Sequence, residues 1–238
     1  SRGSGAATAK LAAQAGYRVC VAYRHREKDA LDVVASIERG GGEAMAVSAD
    51  VGREADVVRL FEAVDERFGE VTALVNNAGI LERQMRVEGM DAERLTRVFN
   101  ANVVGSFLCA REAVRRMSTR HGGRGGAIVN VSSVAARLGS PNEYIDYAAS
   151  KAAIDTLTVG LAKEVAAEGI RVNCVRPGSI YTEIHASGGE PGRVDRVKAR
   201  IPMQRGGEAE EIARAIVWLL SDEASYMTGS LVDVAGGL

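Results

Sequence analysis

Tyr147 and Lys151 stand four residues apart in the run Tyr-Ala-Ala-Ser-Lys, a spacing that puts both side chains on one face of a helix. A phenol titrating at about 10 is a poor base at neutral pH, but a neighbouring ammonium favours its ionised form. Ser133 lies upstream, at the end of the apolar run Ala127–Val131. If that run is a strand and the Tyr147 segment a helix, three polar groups converge on one point. Together they suit reduction of a carbonyl or oxidation of an alcohol. Tyr147 moves the proton, Lys151 tunes it, and Ser133 hydrogen-bonds to the oxygen as charge develops there. Each residue also has a plain structural reading: a buried ring, a lysine stem lying on apolar surface, a serine capping a loop. Singly those readings are preferred; jointly the chemical one is.

A second group of residues suits a dinucleotide. Arg2-Gly3-Ser4-Gly5 leads into a helix that begins with small residues, and glycines there let a backbone approach a pyrophosphate at the helix N-terminus. The next strand ends at Tyr23-Arg24, where an NAD enzyme commonly carries an acid for the ribose hydroxyls. Arg24 instead offers a fork to a 2′-phosphate, and Arg2 adds a second charge. NADP(H) is therefore preferred, with NAD(H) the alternative; solvated surface arginines are the plain reading. Asp50-Val51 closes the third strand, where the carboxylate suits either an adenine amino group or a helix cap. Asn76-Asn77-Ala78-Gly79 follows another strand, and its amides and small residues suit close packing on a flat ring in a sheet crevice.

The elements that must position these groups show in the hydrophobic periodicity. Strands are expected at Tyr17–Tyr23, Ala44–Ser48, Val71–Val75, Ala127–Val131, Arg171–Val175 and Leu231–Val234. Helices are expected at Ala6–Ala15, Lys28–Arg39, Glu54–Phe68, Ala92–Met117, Tyr147–Glu168 and Glu208–Leu220. The alternation predicts an α/β fold: a single doubly wound, Rossmann-type domain over 1–238, with a parallel sheet and helices on both faces. Ile180–Pro202, polar and punctuated by Gly and Pro, reads as a mobile lid loop over the site at about 180–203. A glycine turn of this kind follows a strand, and that first strand is not in the sequence. The expectation is an apolar slot at the sheet's centre and a native chain starting some ten residues earlier.

The 238 residues carry a net charge of −1 with both signs interspersed, so no basic field argues for nucleic acid or an anionic membrane. No apolar run approaches the roughly 18–20 residues of a membrane span. Cys20, Cys109 and Cys174 are odd in number and widely spaced, which fits a reducing cytoplasm. The three histidines have no metal-ligand spacing, and no metal site is expected.

Taken in order, these residues resemble the short-chain dehydrogenase/reductase family along essentially the whole chain. Ser1-Arg2-Gly3-Ser4-Gly5 is similar to the tail of its TGxxxGxG turn, and NNAG is present as Asn76–Gly79. Asn102 in NANVVG, Ser133 in NVSS, and Tyr147 with Lys151 in YAASK match the family's catalytic four. Pro177-Gly178-Ser179-Ile180-Tyr181-Thr182 looks like its PGxIxT segment. The resemblance implies nicotinamide contacts at Ile180 and Thr182, and a proton relay in which Asn102 holds a water linking Lys151 to solvent. It also implies a homotetramer paired through Ala92–Met117 and Tyr147–Glu168. Within the family, the chain resembles members described as glucose 1-dehydrogenase-like or 3-oxoacyl-carrier-protein reductase-like.

Two departures stand out. Ser4 replaces a usual aliphatic residue, and the serine-to-tyrosine interval is one residue longer than common. The second leaves Ser132 as an alternative to Ser133 and implies a bulged loop at Gly139–Ile145. The expected activity is NADP(H)-dependent hydride transfer to or from a small carbonyl or secondary alcohol. The alternative is a dinucleotide sensor without catalysis. The polar loop leans toward a sugar-like substrate, whereas Arg83, Arg86, Arg193 and Arg196 could form a patch for an acyl-carrier-protein.

Overall fold

Short runs of β-branched and small apolar residues form six parallel strands in a computed structural model that describes residues 2–238. They are β1 (Val19–Tyr23), β2 (Ala44–Ser48), β3 (Ala73–Asn76), β4 (Gly126–Val131), β5 (Ile170–Pro177) and β6 (Leu231–Val234). The longer helices between them are α1 (Gly3–Gln14), α2 (Glu27–Arg39), α3 (Glu54–Phe68), α4 (Ala92–Phe99) and α5 (Gly105–Met117). Further on come α6 (Ala135–Leu138), α7 (Ile145–Val165), α8 (Ile184–Ser187), α9 (Arg193–Val197) and α10 (Ala209–Leu220). This is the expected single-domain α/β architecture with a Rossmann-type parallel sheet.

β4 is buried from Ala127 to Val131, as a parallel strand covered on both faces must be. On one side α10 packs Ile212, Ile216 and Leu219 against it, its start fixed by a reciprocal capping box between Glu208 and Glu211. On the other side Cys109, Ala113 and Met117 of α5 and Val165 of α7 meet Ile128 and Val172. The strands form two ladders, β2–β1 and β3–β4–β5–β6. A cleft of about 1420 Å³ runs the length of the sheet between β1 and β3, lined there by residues such as Val21 and Leu74 and, past the carboxyl ends of the strands, by Asn77, Ser133, Tyr147 and Thr182.

Three segments differ from the sequence expectation. The helix expected from Ala6 begins at Gly3, so the glycines form its first turn rather than precede it. The long helix expected at Ala92–Met117 is interrupted by a π-helical turn at Asn100–Val104, which hydrophobic periodicity cannot register. Ile180–Pro202 is not structureless: it contains α8, α9 and a 3₁₀ turn at Lys198–Arg200. It is anchored by Val194 and Ile201, each no more than 3% exposed. Among the described residues no helix is long and apolar enough to cross a membrane, no metal-binding cluster occurs, and all three cysteines are free.

Candidate active site

The carboxyl end of β4 and the first turns of α7 bring three of the sequence-predicted groups together. Lys151 is 4% exposed, and its Nζ donates to the carbonyl of Val131, the last residue of β4, at 2.8 Å. The same Nζ lies 5.6 Å from the centre of the Tyr147 ring. The Ser133 hydroxyl lies on the phenol side of this corner, lowering the Tyr147 pKa, and its Oγ accepts from the Ala135 amide at 3.1 Å. Ser132 faces elsewhere, donating to the carbonyl of Lys151 at 2.9 Å. Geometry thus puts Ser133, not Ser132, beside the phenol. The loop between serine and tyrosine contains three residues with positive φ, Gly139, Ser140 and Asn142.

Asn102 sits in the π turn, fully buried. Its Oδ1 accepts from the Ile80 amide at 2.7 Å, and its Nδ2 donates to the Ile80 carbonyl at 3.1 Å and to Ser150 Oγ at 2.9 Å. It therefore braces the segment after β3 against α7. Gly79 closes this corner: a Cβ there would lie 3.3 Å from Lys151 Nζ and 3.4 Å from Asn102 Oδ1. A side chain at position 79 would push these groups apart.

Electrostatics in the protein alone differ from the simple sequence argument. Burial pushes the Tyr147 phenol up to about 12, with the Ser133 hydrogen bond opposing the rise. Burial also pulls Lys151 down to about 8, opposed by Cys174 and Asp155. Desolvation outweighs the opposing effect of Ser133, so Tyr147 is a neutral proton donor at pH 7. The three cysteines are driven up to about 12 by burial, which removes thiolate chemistry from consideration.

The other end of the cleft fits a dinucleotide. Gly3 has φ of +48°, and a Cβ on it would stand 3.0 Å from Cγ2 of Thr182. A Cβ on Gly5 would stand 2.6 Å from Nδ2 of Asn77. The turn, the end of β3 and the segment after β5 thus meet at distances only glycine permits, and all three line one cleft. Ser4, Ala78, Gly79, Pro177, Gly178, Ile180 and Thr182 line the same cleft. Ser1 lies outside the described residues. Of the two NNAG amides, Asn76 is turned inward, donating to Asn130 Oδ1 at 2.9 Å, so Asn77 alone sits by the turn.

The rim carries the charges, and several are already engaged. Arg2 pairs with Glu183 across the cleft and approaches Asp29 at 3.7 Å, so it is not a free phosphate ligand. Arg24 Nε lies 3.1 Å from Asp50 Oδ2, and Asp50 Oδ1 accepts from the Gly52 amide at 3.0 Å. The two sequence candidates are each other's partners, and Asp50 also serves its local turn. Tyr23 donates to Glu27 at 3.1 Å, while Val51 packs on Gly105. Arg26 also lines this end, and among the described residues it is in no ion pair of 4.0 Å or less. The Tyr23-Arg24-His25-Arg26 run signals it only as a second cation.

Sequence reasoning missed a buried polar ladder. Asn130 Nδ2 donates to Thr158 Oγ1 at 2.9 Å, and Thr158 donates to the Ile154 carbonyl at 2.8 Å, tying α7 to β4 and, through Asn76, to β3. Its one signal was amides inside otherwise apolar strand ends.

A family model described as enoyl-(acyl carrier protein) reductase matches residues 1–238. The chain is 65% identical over 237 residues to the uncharacterized oxidoreductase YgfF of Escherichia coli (strain K12), covering all of this chain and 96% of that protein. It is 40% identical to 3beta-hydroxysteroid dehydrogenase 1 of Eggerthella lenta, over all of this chain and 90% of that one. The crystal structure of a dehydrogenase/reductase from Sinorhizobium meliloti 1021 superposes with a TM-score of 0.91 at 31% identity, covering 99% of this chain and 90% of the other. The chain belongs to the short-chain dehydrogenase/reductase family. It is an oxidoreductase of CH–OH or carbonyl groups that uses a nicotinamide cofactor.

Proposed function

We propose that the chain is an NADP(H)-dependent reductase of a small, neutral carbonyl compound, and a dehydrogenase of the corresponding secondary alcohol. The observation that carries this reading is the convergence of Tyr147, Ser133 and Lys151 on one cleft, with the Lys151 Nζ 5.6 Å from the centre of the Tyr147 ring. When bound, the nicotinamide supplies or accepts the hydride. Tyr147 delivers its phenolic proton to the nascent alkoxide, and Ser133 steadies that oxygen by hydrogen bonding. Lys151 offsets the charge left on the phenolate. The proton is restored from solvent past Lys151 through a water held at Asn102, whose side-chain amide is itself engaged by Ile80 and Ser150. The pyrophosphate is held by the Gly3–Gly5 turn and Thr182, the ribose end by Arg24 and Arg26, and the carboxamide by Ile180.

Substrate neutrality rests on the entrance charges. Arg193 and Arg196 pair with Glu143 and Glu190, and Arg86 pairs with Glu88. Three of the four arginines that would dock an acidic carrier protein are thus neutralised. The same pairs tie the segment 180–203, acting as a lid, to the loop before α7. The assembly is a homotetramer; Phe99, Val104 and Phe107, exposed along α4, the π turn and α5, support an interface there. It works in the cytoplasm, in keeping with three free thiols.

The test is a fluorescence titration with NADPH and NADH, followed by absorbance at the NADPH band with aldoses, β-ketoacyl thioesters, 3-ketosteroids and small diketones. Tighter NADPH binding and turnover of an uncharged class are expected. Binding without turnover of any class would replace the enzyme reading with that of a dinucleotide sensor.

A further inference from the structure

We propose that the buried pair Arg94–Asp146 is a positioning device for Tyr147, an inference that rests on the function proposed above. Arg94 and Asp146 are 4% and 3% exposed. Arg94 Nε donates to Asp146 Oδ2 at 2.7 Å and Nη2 to Oδ1 at 3.3 Å, a fork on a carboxylate. The third donor contact runs elsewhere: Nη1 donates to the carbonyl of Arg83 at 2.7 Å. Asp146 Oδ1 also accepts the amide N–H of Tyr147 at 2.9 Å. One guanidinium therefore ties α4, the segment following Asn77-Ala78-Gly79, and the first turn of α7.

The first turn of α7 needs such an anchor. The residue before it, Tyr144, gives no side-chain cap, so the opening N–H groups depend on other acceptors. Asp146 supplies one to the very residue whose hydroxyl meets Ser133. Arg94 is held in turn by its own helix, whose N-cap Asp91 accepts the Arg94 amide at 2.7 Å. A buried ion pair is weak support for stability alone, because apolar side chains of similar volume pack as well without the desolvation cost. What a fork adds is a fixed distance and orientation. Here that fixes the Tyr147 end of α7 relative to the β3 end that carries Gly79 and, through Asn102, Ile80.

The experiment compares Asp146→Asn, Arg94→Lys, Tyr147→Phe and a control, Glu168→Gln, in the full chain. Glu168 is a buried carboxylate just past α7's far end, bonded to Ser118 and Arg120. Turnover is read with the carbonyl compound reduced fastest in the panel above, NADPH affinity by fluorescence, and amide hydrogen exchange over residues 144–151. Asp146→Asn is expected to lower kcat about tenfold to a hundredfold, with KM and NADPH Kd within about threefold. It is also expected to speed exchange in 144–151, while Glu168→Gln loses thermal stability but keeps kcat. Should Asp146→Asn not fold, Arg94→Lys, which keeps the cation and loses the fork, carries the same measurements. A kcat within twofold of the parent, or unchanged exchange over 144–151, overturns the inference. If Tyr147→Phe itself keeps turnover, the functional reading fails and this inference with it; if only that variant is inactive, the reading stands and the positioning role is lost.

Discussion

Lys151 Nζ lies 5.6 Å from the centre of the Tyr147 ring while donating at 2.8 Å to the carbonyl that ends β4. The ammonium is thus bound to the sheet and faces the phenol from a fixed direction. Lys151 is buried and Tyr147 half-buried, and desolvation moves each toward its neutral form. The pair is held ready, at a cost in stability, for a reaction that needs charge at this point.

That cost is measurable through Lys151→Met. A folded-state value of about 8 against 10.5 means the unfolded chain holds this proton over a range where the folded chain has released it. Below pH 8 both states are charged and the penalty is complete; it fades as pH rises from 8 to 10.5. Lys151→Met removes the charge but leaves the Val131 carbonyl without its donor. The variant is expected to be more stable at pH 7 by about 2 kcal/mol, roughly 3 from the lysine less about 1 for the hydrogen bond. Denaturant melts across pH 7–10.5 should show that advantage shrinking to nothing, or reversing, at the alkaline end. A flat difference would mean that Lys151 is not desolvated.

Tyr147→Phe keeps the ring and deletes the hydroxyl. Turnover is expected to fall by about 10² to 10⁴, with NADPH affinity within a factor of two. Loss of affinity in step with turnover would place the hydroxyl in binding instead.

Because Tyr147 is a neutral donor at pH 7, reduction is expected to be fast at neutral pH, and oxidation of the alcohol to accelerate as pH rises toward the phenol's elevated value. Initial rates in both directions from pH 6 to 10 check this. An oxidation rate flat across that range would contradict the assigned protonation state.

Gly5→Ala tests the pyrophosphate turn. The added methyl would stand 2.6 Å from Asn77 Nδ2, so Asn77 or the turn must move. An increase in NADPH Kd of about tenfold or more is expected, with the melting temperature lowered by a few degrees. Unchanged affinity would place the pyrophosphate elsewhere.

Arg24→Ala together with Arg26→Ala tests the ribose end. The double variant should weaken NADPH binding by about 2 kcal/mol while leaving NADH within about twofold. Equal loss for the two cofactors would show that neither arginine meets the 2′-phosphate, leaving Arg24 as the partner of Asp50 alone.

The sequence by itself determined the α/β alternation and the shared face of Tyr147 and Lys151, because helical and strand periods are local properties of the chain. It also marked the glycines of the turn and the bulge near Gly139, since positive φ and close approach each demand a residue type. Only the tertiary structure decided between Ser132 and Ser133, because a one-residue shift past the end of a strand sends a side chain to a different neighbour. It alone showed that Arg2 is engaged by Glu183, that Arg24 and Asp50 are partners, and that Arg94 reaches Asp146 across 52 residues of chain. Ion pairs of this kind carry no periodic signal; their existence depends on where separate elements come to rest. The same holds for the state of the phenol. Its type is written at position 147, but its pKa is set by how much water the packed elements exclude.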